Sequence, residues 1–507
     1  MLSIIKSIAL NGIEGFIIDV QVDVSGGIPC WEIVGLPDVS VKEAKERVKT
    51  AIKNSGFEFP SRKIVINLAP ATIRKGGSNF DIPIAIAVLK ACGKIMSFEY
   101  ESTLFIGELG LDGAVNGVIG ALPMCIEAKK RGFKRIIIPS QNELEAGIVE
   151  GIDVIAVKSL SQLIGFLNNQ VTIFPSKFDL EDVLKCRNLY NVDFSEVKGQ
   201  KNVKRAIEVA ASGGHNCILI GSPGSGKTMI AKRIPTILPS LTFDESLEVT
   251  KIHSIAGNIN ENMPILVNRP FIAPHHTISQ VSLVGGGANP KPGDISLANY
   301  GVLFLDELPE FDRNKLETLR GPLEDRKISI SRLNYTVTYP CNFMLVASMN
   351  PCPCGYYGYG DKCKCSNNAI RRYLSKVSGP ILDRIDIQVE VSGVDFECFT
   401  SDEIEESSYK IRKRVEKARA IQIERYKNEG IFSNSELTDR LIEKYCIIDG
   451  KCQKILELFV KKKGLSGRAY KRILKVARTI ADMDCSEEIQ EKHILEAMQY
   501  RNLDNKY

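Results

Sequence analysis

Apolar and polar positions follow two different periods along this chain. In the first 170 residues, FIIDVQVDV, KIVINLA and RIIIP are short runs rich in β-branched residues and predict strands. Between them, VSVKEAKERVKTAIKNSG places Val41, Ala44, Val48 and Ala51 at helical spacing. Residues 1–170 therefore read as an α/β domain. Residues 171–197 contain Pro175, several charges and no sustained period, so they read as a linker. From residue 198 to about 394 the strand candidates CILIG, VLFLDE, NFMLVAS and IDIQVEV alternate with helical or glycine-rich segments, the pattern of a mainly parallel sheet covered by helices on both faces. Residues 395–507 are helical in composition, and no internal repeat or low-complexity tract is visible.

Length and composition narrow the class. At roughly 150 residues per domain, 507 residues make about three domains. With 44% hydrophobic and 25% charged residues, collagen-like, coiled-coil and disordered classes are excluded. A net charge of +5 is too weak to indicate nucleic acid or a membrane surface, so any such contact needs a local patch. The longest apolar stretch, Ile82 to Leu89, is far shorter than the roughly 18 residues that span a bilayer. Lys6 interrupts the first apolar run, where a signal peptide needs continuity, and a cytoplasmic location is expected. Ten of the 14 cysteines are scattered, as buried small hydrophobes would be; Cys352, Cys354, Cys363 and Cys365 are not.

The strongest chemical signal is GSPGSGKT, comprising Gly221, Ser222, Pro223, Gly224, Ser225, Gly226, Lys227 and Thr228. It follows a strand candidate and opens a helix, the context a phosphate-binding loop requires, whereas a glycine turn without ligand needs neither. Backbone N–H groups would surround the β-phosphate of ATP, Lys227 would reach the β and γ oxygens, and Thr228 would ligate Mg²⁺. VLFLDE delivers Asp306 and Glu307 to the end of a strand: Asp306 to hold the Mg²⁺, Glu307 to polarise the attacking water. Asn350 ends the next strand and either orients that water or caps the turn before Pro351. Arg384 lies in SGPILDRID as a candidate arginine finger supplied in trans, the alternative being a salt bridge with Asp383 or Asp386. Arg468 begins a helix from which a lid could approach the γ-phosphate.

These motifs, with RPFIAPHHT, GDISLANYGVLFLDELPEF, LEDRKISISR, ASMNPCPCG and SGRAYKRILKVARTIADMD, resemble the magnesium-chelatase-like AAA+ ATPases of the YifB/ComM group over essentially the whole chain. The resemblance implies a P-loop AAA+ α/β core and a C-terminal helical lid. It assigns Lys227 to Walker A, Asp306 and Glu307 to Walker B, and Asn350, Arg384 and Arg468 to sensor 1, finger and sensor 2. It also implies a homo-oligomer, a hexameric ring driven by ATP that moves on forked, branched or single-stranded DNA in recombination. Residues 1–170, in GELGLDGAVNGVIGALP and KRIIIP, are similar to the proteolytic domain of Lon-type proteases, a ribosomal S5 domain 2-like fold. Laid on that pattern, Asn79 falls at the serine nucleophile, with Ser78 one place off, and Leu122 at the lysine; neither can do that chemistry, so no peptidase activity is expected.

Two further segments carry candidate chemistry. Asp325 to Pro340 alternates apolar and polar residues on both sides of Leu333-Asn334 and predicts a β-hairpin. It resembles the hairpin that such motors project into a central channel; Arg326, Lys327 and Arg332 would meet phosphates and Tyr335 would stack on a base, against the alternative of a solvated hairpin. Lys410 to Lys427 is a second basic segment, read as solvated lid surface. Cys352-Pro-Cys354 and Cys363-Lys-Cys365 read as a structural Zn²⁺ site, with reduced thiols and disulfides as alternatives. His275 and His276 are left as hydrogen-bonding residues. A chelatase-type motor subunit or protein-remodelling ATPase acting on a protein partner is the competing reading, and a nucleotide-gated binding module the third.

Overall fold

The computed structural model describes residues 1–72, 75–95, 98–176, 189–259, 264–287, 290–332, 335–358, 362–393 and 405–501; the side chains of Arg332 and Tyr335 also lie outside the described part. Two large sheets organise the molecule. The first is built from β1 (Leu2–Asn11), β2 (Glu14–Ser25), β3 (Cys30–Val34), β4 (Lys63–Ala69), β5 (Thr103–Phe105), β6 (Arg135–Pro139) and β7 (Asp153–Val157), in the spatial order β3-β4-β2-β1-β5-β6-β7. In β2, Ile18, Val20, Val22 and Val24 point into the core while Asp19, Gln21 and Asp23 alternate outward, which fixes its register against β1 and β4. The helix Val39–Asn54 buries Val41, Ala44, Val48 and Ala51, and Asp38 caps it by accepting from the Val41 N–H at 2.9 Å. The helix Asp81–Ala91 contains the apolar run and is buried at every position except Lys90.

The second sheet comprises β8 (Cys217–Ile220), β9 (Phe271–Ile272), β10 (Val302–Leu305), β13 (Met344–Met349) and β14 (Ile387–Glu390), all parallel in the order β9-β10-β13-β8-β14. β8, β10 and β13 are buried throughout, as central parallel strands must be when helices cover both faces. Between β10 and β13 lies the expected hairpin, β11 (Lys327–Arg332) and β12 (Tyr335–Pro340), with Ile328 opposite Tyr339 and Ile330 opposite Val337. Those four residues form its buried face, and Ser329, Ser331, Thr336 and Thr338 its exposed one. The buried face touches the first sheet's unit: Gly12, in the β1–β2 turn at φ +63°, leaves room for Val337 that any side chain would fill, and Ile13 joins the same apolar cluster. A second joint forms where Glu145 accepts from the Leu122 N–H at 3.1 Å and from the Ser254 hydroxyl.

Residues 405–501 are mainly helical, including Ser408–Tyr426, Asp439–Tyr445, Gly450–Lys463, Gly467–Met483 and Glu491–Gln499. They share one apolar cluster with the second sheet, in which Ile473, Ala477 and Ile480 meet Ile207 and Ile387. A polar joint crosses this apolar contact. His215 is hydrogen-bonded through Nδ1 to Asp386 at 3.0 Å and through Nε2 to Thr479 at 2.7 Å, and Arg472 reaches Asp386 at 3.4 Å. Burial opposes the charge on Asp386, but the His215 hydrogen bond and the Arg472 cation outweigh it and hold the carboxyl at about 2. A depressed carboxylate contributes stability in full above its ordinary value and loses it as pH falls through the folded-state value. Asp386→Asn is therefore expected to cost about 3 kcal/mol at neutral pH, because it leaves a buried guanidinium uncompensated, and to flatten the loss of stability between about pH 4 and 2. Denaturant melts across that range check both; equal midpoints for the two proteins at neutral pH would refute the joint.

Candidate nucleotide site

The ends of β8, β10 and β13 converge at one edge of the second sheet. Behind β8 the Gly221 N–H donates to the Met349 carbonyl at 3.2 Å, and the chain then turns through Gly224 at φ +77° and Gly226 at φ +90°. Only glycine adopts such values freely, and the turn they allow starts the helix Lys227–Arg233. Lys227 Nζ donates to the carbonyls of Gly221 and Ser222, each at 2.8 Å, and to Asn350 Oδ1 at 3.2 Å. Burial lowers the Lys227 pKa and the nearby Asp306 and Glu307 carboxylates oppose that shift. The phosphate loop and the Asn350 tip are thus joined through one ammonium.

Thr228 Oγ1 donates to Asp306 Oδ2 at 2.8 Å, which pairs a hydroxyl with a carboxylate, groups suited to hold Mg²⁺ beside a triphosphate. The other Asp306 oxygen accepts from the Ser348 hydroxyl and from the Glu307 N–H at 3.1 Å. Ser348 is a site residue that the sequence reading missed. It stands two positions before Asn350, at the end of β13, and its hydroxyl reaches the aspartate that follows β10. Glu307 adopts φ +53°, a left-handed conformation unusual for a side chain of its size, and its carboxylate is exposed at the sheet edge. That is the position from which a carboxylate can polarise water.

The two arginines lie elsewhere. Arg384 is 9% exposed, donates to the Pro380 carbonyl at 2.6 Å and pairs with Glu324, and its Nε has no partner. Of the expected alternative salt bridges, neither Asp383 nor Asp386 is the partner shown. The Arg384 carbonyl accepts from Asn216 Nδ2 at 3.0 Å, and Asn216 Oδ1 accepts from the Leu345 N–H at 2.8 Å. Asn216 precedes β8 and Leu345 is the second residue of β13, so Arg384 sits at the sheet edge opposite the phosphate loop. Four residues of strand, about 13 Å at about 3.3 Å each, separate the two edges. Arg468 is exposed one helical turn before Arg472, which is anchored at that same opposite edge by Asp386.

Other candidates are placed as follows. Arg326, at φ +54°, bonds Asn342 and reaches Glu436 at 3.5 Å, so it faces the helical unit at the base of the hairpin. Lys327 is exposed, whereas the side chains of Arg332 and Tyr335 lie outside the described residues. Along Ser408–Tyr426, Arg412, Arg414, Arg419 and Arg425 all hydrogen-bond within the chain, and Lys410, Lys413 and Lys417 are solvated. His275 bonds Thr277 at 2.8 Å. In the remnant of the Lon-type pattern, Asn79 Nδ2 donates to the Ile8 carbonyl at 2.9 Å, Leu122 is fully buried, and Ser78 bonds Glu108.

The four clustered cysteines come together beside Asn350. Their sulfurs lie within 4.8 Å of one another, with Cys352 at 3.3 Å from Cys354 and 3.8 Å from Cys363, and Cys354 at 3.7 Å from Cys363. All are free thiols, so the disulfide alternative is not what the fold forms. A tetrahedron with about 2.3 Å metal–sulfur bonds has sulfur–sulfur edges of about 3.8 Å, and this donor set fits it.

A glycine loop on a buried parallel strand, a Thr–Asp pair and a strand-end carboxylate define a P-loop ATPase of the AAA+ type. Comparison with known families agrees. The family described as magnesium chelatase, subunit ChlI, matches residues 193–398; subunit ChlI of Mg-chelatase matches 20–142; and the ChlI C-terminal family matches 405–501. Among curated proteins, the chain is 41% identical to the uncharacterized protein YifB of Salmonella typhimurium over 99% of this chain and 97% of that one. It is 40% identical to competence protein ComM of Haemophilus influenzae, again over 99% of this chain and 97% of that one. Lon protease 2 of Bacillus subtilis is 28% identical over 32% of each chain. The chain belongs to the magnesium-chelatase-like AAA+ ATPases of the YifB/ComM group, with a Lon-like N-terminal region.

Two substitutions test the geometry. Lys227→Ala is expected to abolish ATP binding in a fluorescence titration, since the ammonium joins the loop to Asn350. Ser348→Ala is expected to raise the Mg²⁺ concentration that half-saturates ATPase, because Asp306 loses the donor that orients it; unchanged Mg²⁺ dependence would exclude that role.

Proposed function

We propose that this protein hydrolyses Mg·ATP as a ring, with six copies as the expected number, and uses the energy to move along DNA during recombination. The placement of Arg384 carries this reading. An arginine at the edge opposite its own phosphate loop cannot reach the nucleotide bound there, but in a head-to-tail ring it meets the γ-phosphate of the adjacent copy. Arg468, on the same side, joins it as sensor 2. In this scheme Thr228 and Asp306 hold Mg²⁺, Glu307 activates water, and Asn350 orients it.

The competence protein among the relatives favours DNA as the polymer, and the solvated Ser/Thr face of the hairpin with Lys327 offers a surface for phosphates. The four cysteines would hold a structural Zn²⁺, as their sulfur spacing fits. The Lon-like region would be a non-proteolytic scaffold, since the amide of Asn79 is engaged with backbone and Leu122 has no base. No helix among the described residues is long and apolar enough to cross a membrane, and we place the protein in the cytoplasm.

Glu307→Gln is expected to bind ATP while losing about 10²- to 10⁴-fold in turnover, the range for a general base; normal turnover would remove Glu307 from the mechanism. Arg384→Ala and Lys227→Ala, each inactive alone, are expected to regain ATPase when mixed, because an intact loop then meets an intact finger. No recovery in mixed assemblies would count against action across the interface. ATPase measured with single-stranded, forked and four-way DNA decides the polymer: stimulation by none of them would leave the protein-partner reading in its place.

A further inference from the structure

The cysteine cluster touches the nucleotide site from two directions, one through the phosphate loop and one through the Asn350 tip. Gly355 follows Cys354, adopts φ +83° and donates its N–H to the Cys352 carbonyl at 3.0 Å. Its bare Cα lies against the ring of Pro223 in the phosphate loop; a Cβ there would stand 2.7 Å from Pro223 Cγ, inside any real contact distance. On the other side, Asn350 precedes Cys352 by two residues and holds Lys227 Nζ through its side chain. The second pair leads into the helix Asn367–Leu374, whose cap, Ser366, directly follows Cys365. The first cysteine pair is therefore fastened to Asn350 and Pro223, and the second to the start of that helix.

We propose that the metal bound by Cys352, Cys354, Cys363 and Cys365 clamps the nucleotide site, setting ATP affinity through the Gly355–Pro223 contact. The proposal rests on the zinc reading above. The sulfur contacts of 3.8 and 3.7 Å between the two cysteine pairs are weak without a central cation to bind them. Pro223 then loses its backing surface. Gly355 acts as a positioning residue, through Pro223 in the phosphate loop.

Three measurements on the full-length protein test it. Zinc content is determined by mass spectrometry on protein purified without a histidine tag and should be one per chain. Stripping the metal with a chelator is expected to weaken binding of a fluorescent ATP analogue by about tenfold or more, and adding Zn²⁺ alone should restore it. Gly355→Ala should keep its zinc yet raise KM for ATP several-fold with little change in kcat. Absence of zinc, with no uptake of added Zn²⁺, overturns the zinc reading and the clamp with it. Full zinc content in a protein whose ATP affinity is the same before and after stripping, or a Gly355→Ala protein with normal KM, overturns the clamp alone.

Discussion

Parallel pairing of β8, β10 and β13 is the constraint from which the chemistry of this protein follows. Parallel neighbours have all their C-terminal ends on one edge, so three segments far apart in sequence must discharge their next residues into the same few ångströms. Behind β8 that residue run is the glycine loop, behind β10 the acidic pair, and behind β13 Asn350. An antiparallel sheet would have scattered them to two edges. The hydrophobic content of the strands is therefore catalytic in effect: VLFL and CILI place Asp306 beside Thr228 because they bury on both faces and can pair in only one direction.

The same rule has a converse. Residues that precede parallel strands collect on the other edge, and there Asn216 ties Arg384 to the start of β13. One sheet thus puts Lys227 at one edge and Arg384 at the other, and on the ring reading proposed above the second would meet a neighbour's phosphate. Within the chain, Arg384 rests against Glu324, whose carboxylate is largely solvated, so on that reading exchanging the partner for a phosphate costs little desolvation on the acid's side.

How much of this was legible in sequence depended on whether the physics was local. The phosphate loop was readable because its glycines answer a backbone demand that no other residue meets, and the structure shows Gly224 and Gly226 in that conformation. The hairpin was readable because Ile–Ser alternation has only one period. The edge on which Arg384 lies was not, since it depends on strand order rather than on residues near position 384. Ser348 was hidden in an otherwise apolar strand, and Gly355 looked like part of a loose loop because its neighbour, Pro223, is far away in the chain. Likewise MLSIIKSIALNG was useful for judging export, yet it forms β1, the strand at the centre of the first sheet. The expected linker falls partly on residues 177–188, outside the described part.

Arg384 and Asp386 are two residues apart, and each is held from a different direction. Asp386 is locked by His215 and Arg472 to the helix Gly467–Met483, so the start of β14 cannot shift without that helix. The Arg384 carbonyl is held by Asn216, whose own carbonyl accepts the Asp386 and Ile387 N–H groups at 3.0 and 3.1 Å. A rotation of the helical unit against the sheet would have to carry this short segment with it, because the Asp386 contacts are buried charges that cannot be left open at small cost. On the proposed reading of Arg384 as a finger and the helical unit as a lid, their positions are one variable. A ring in which nucleotide state at one interface alters the lid would pass that change through Asp386 to Arg384, and so to the next triphosphate, without a separate relay.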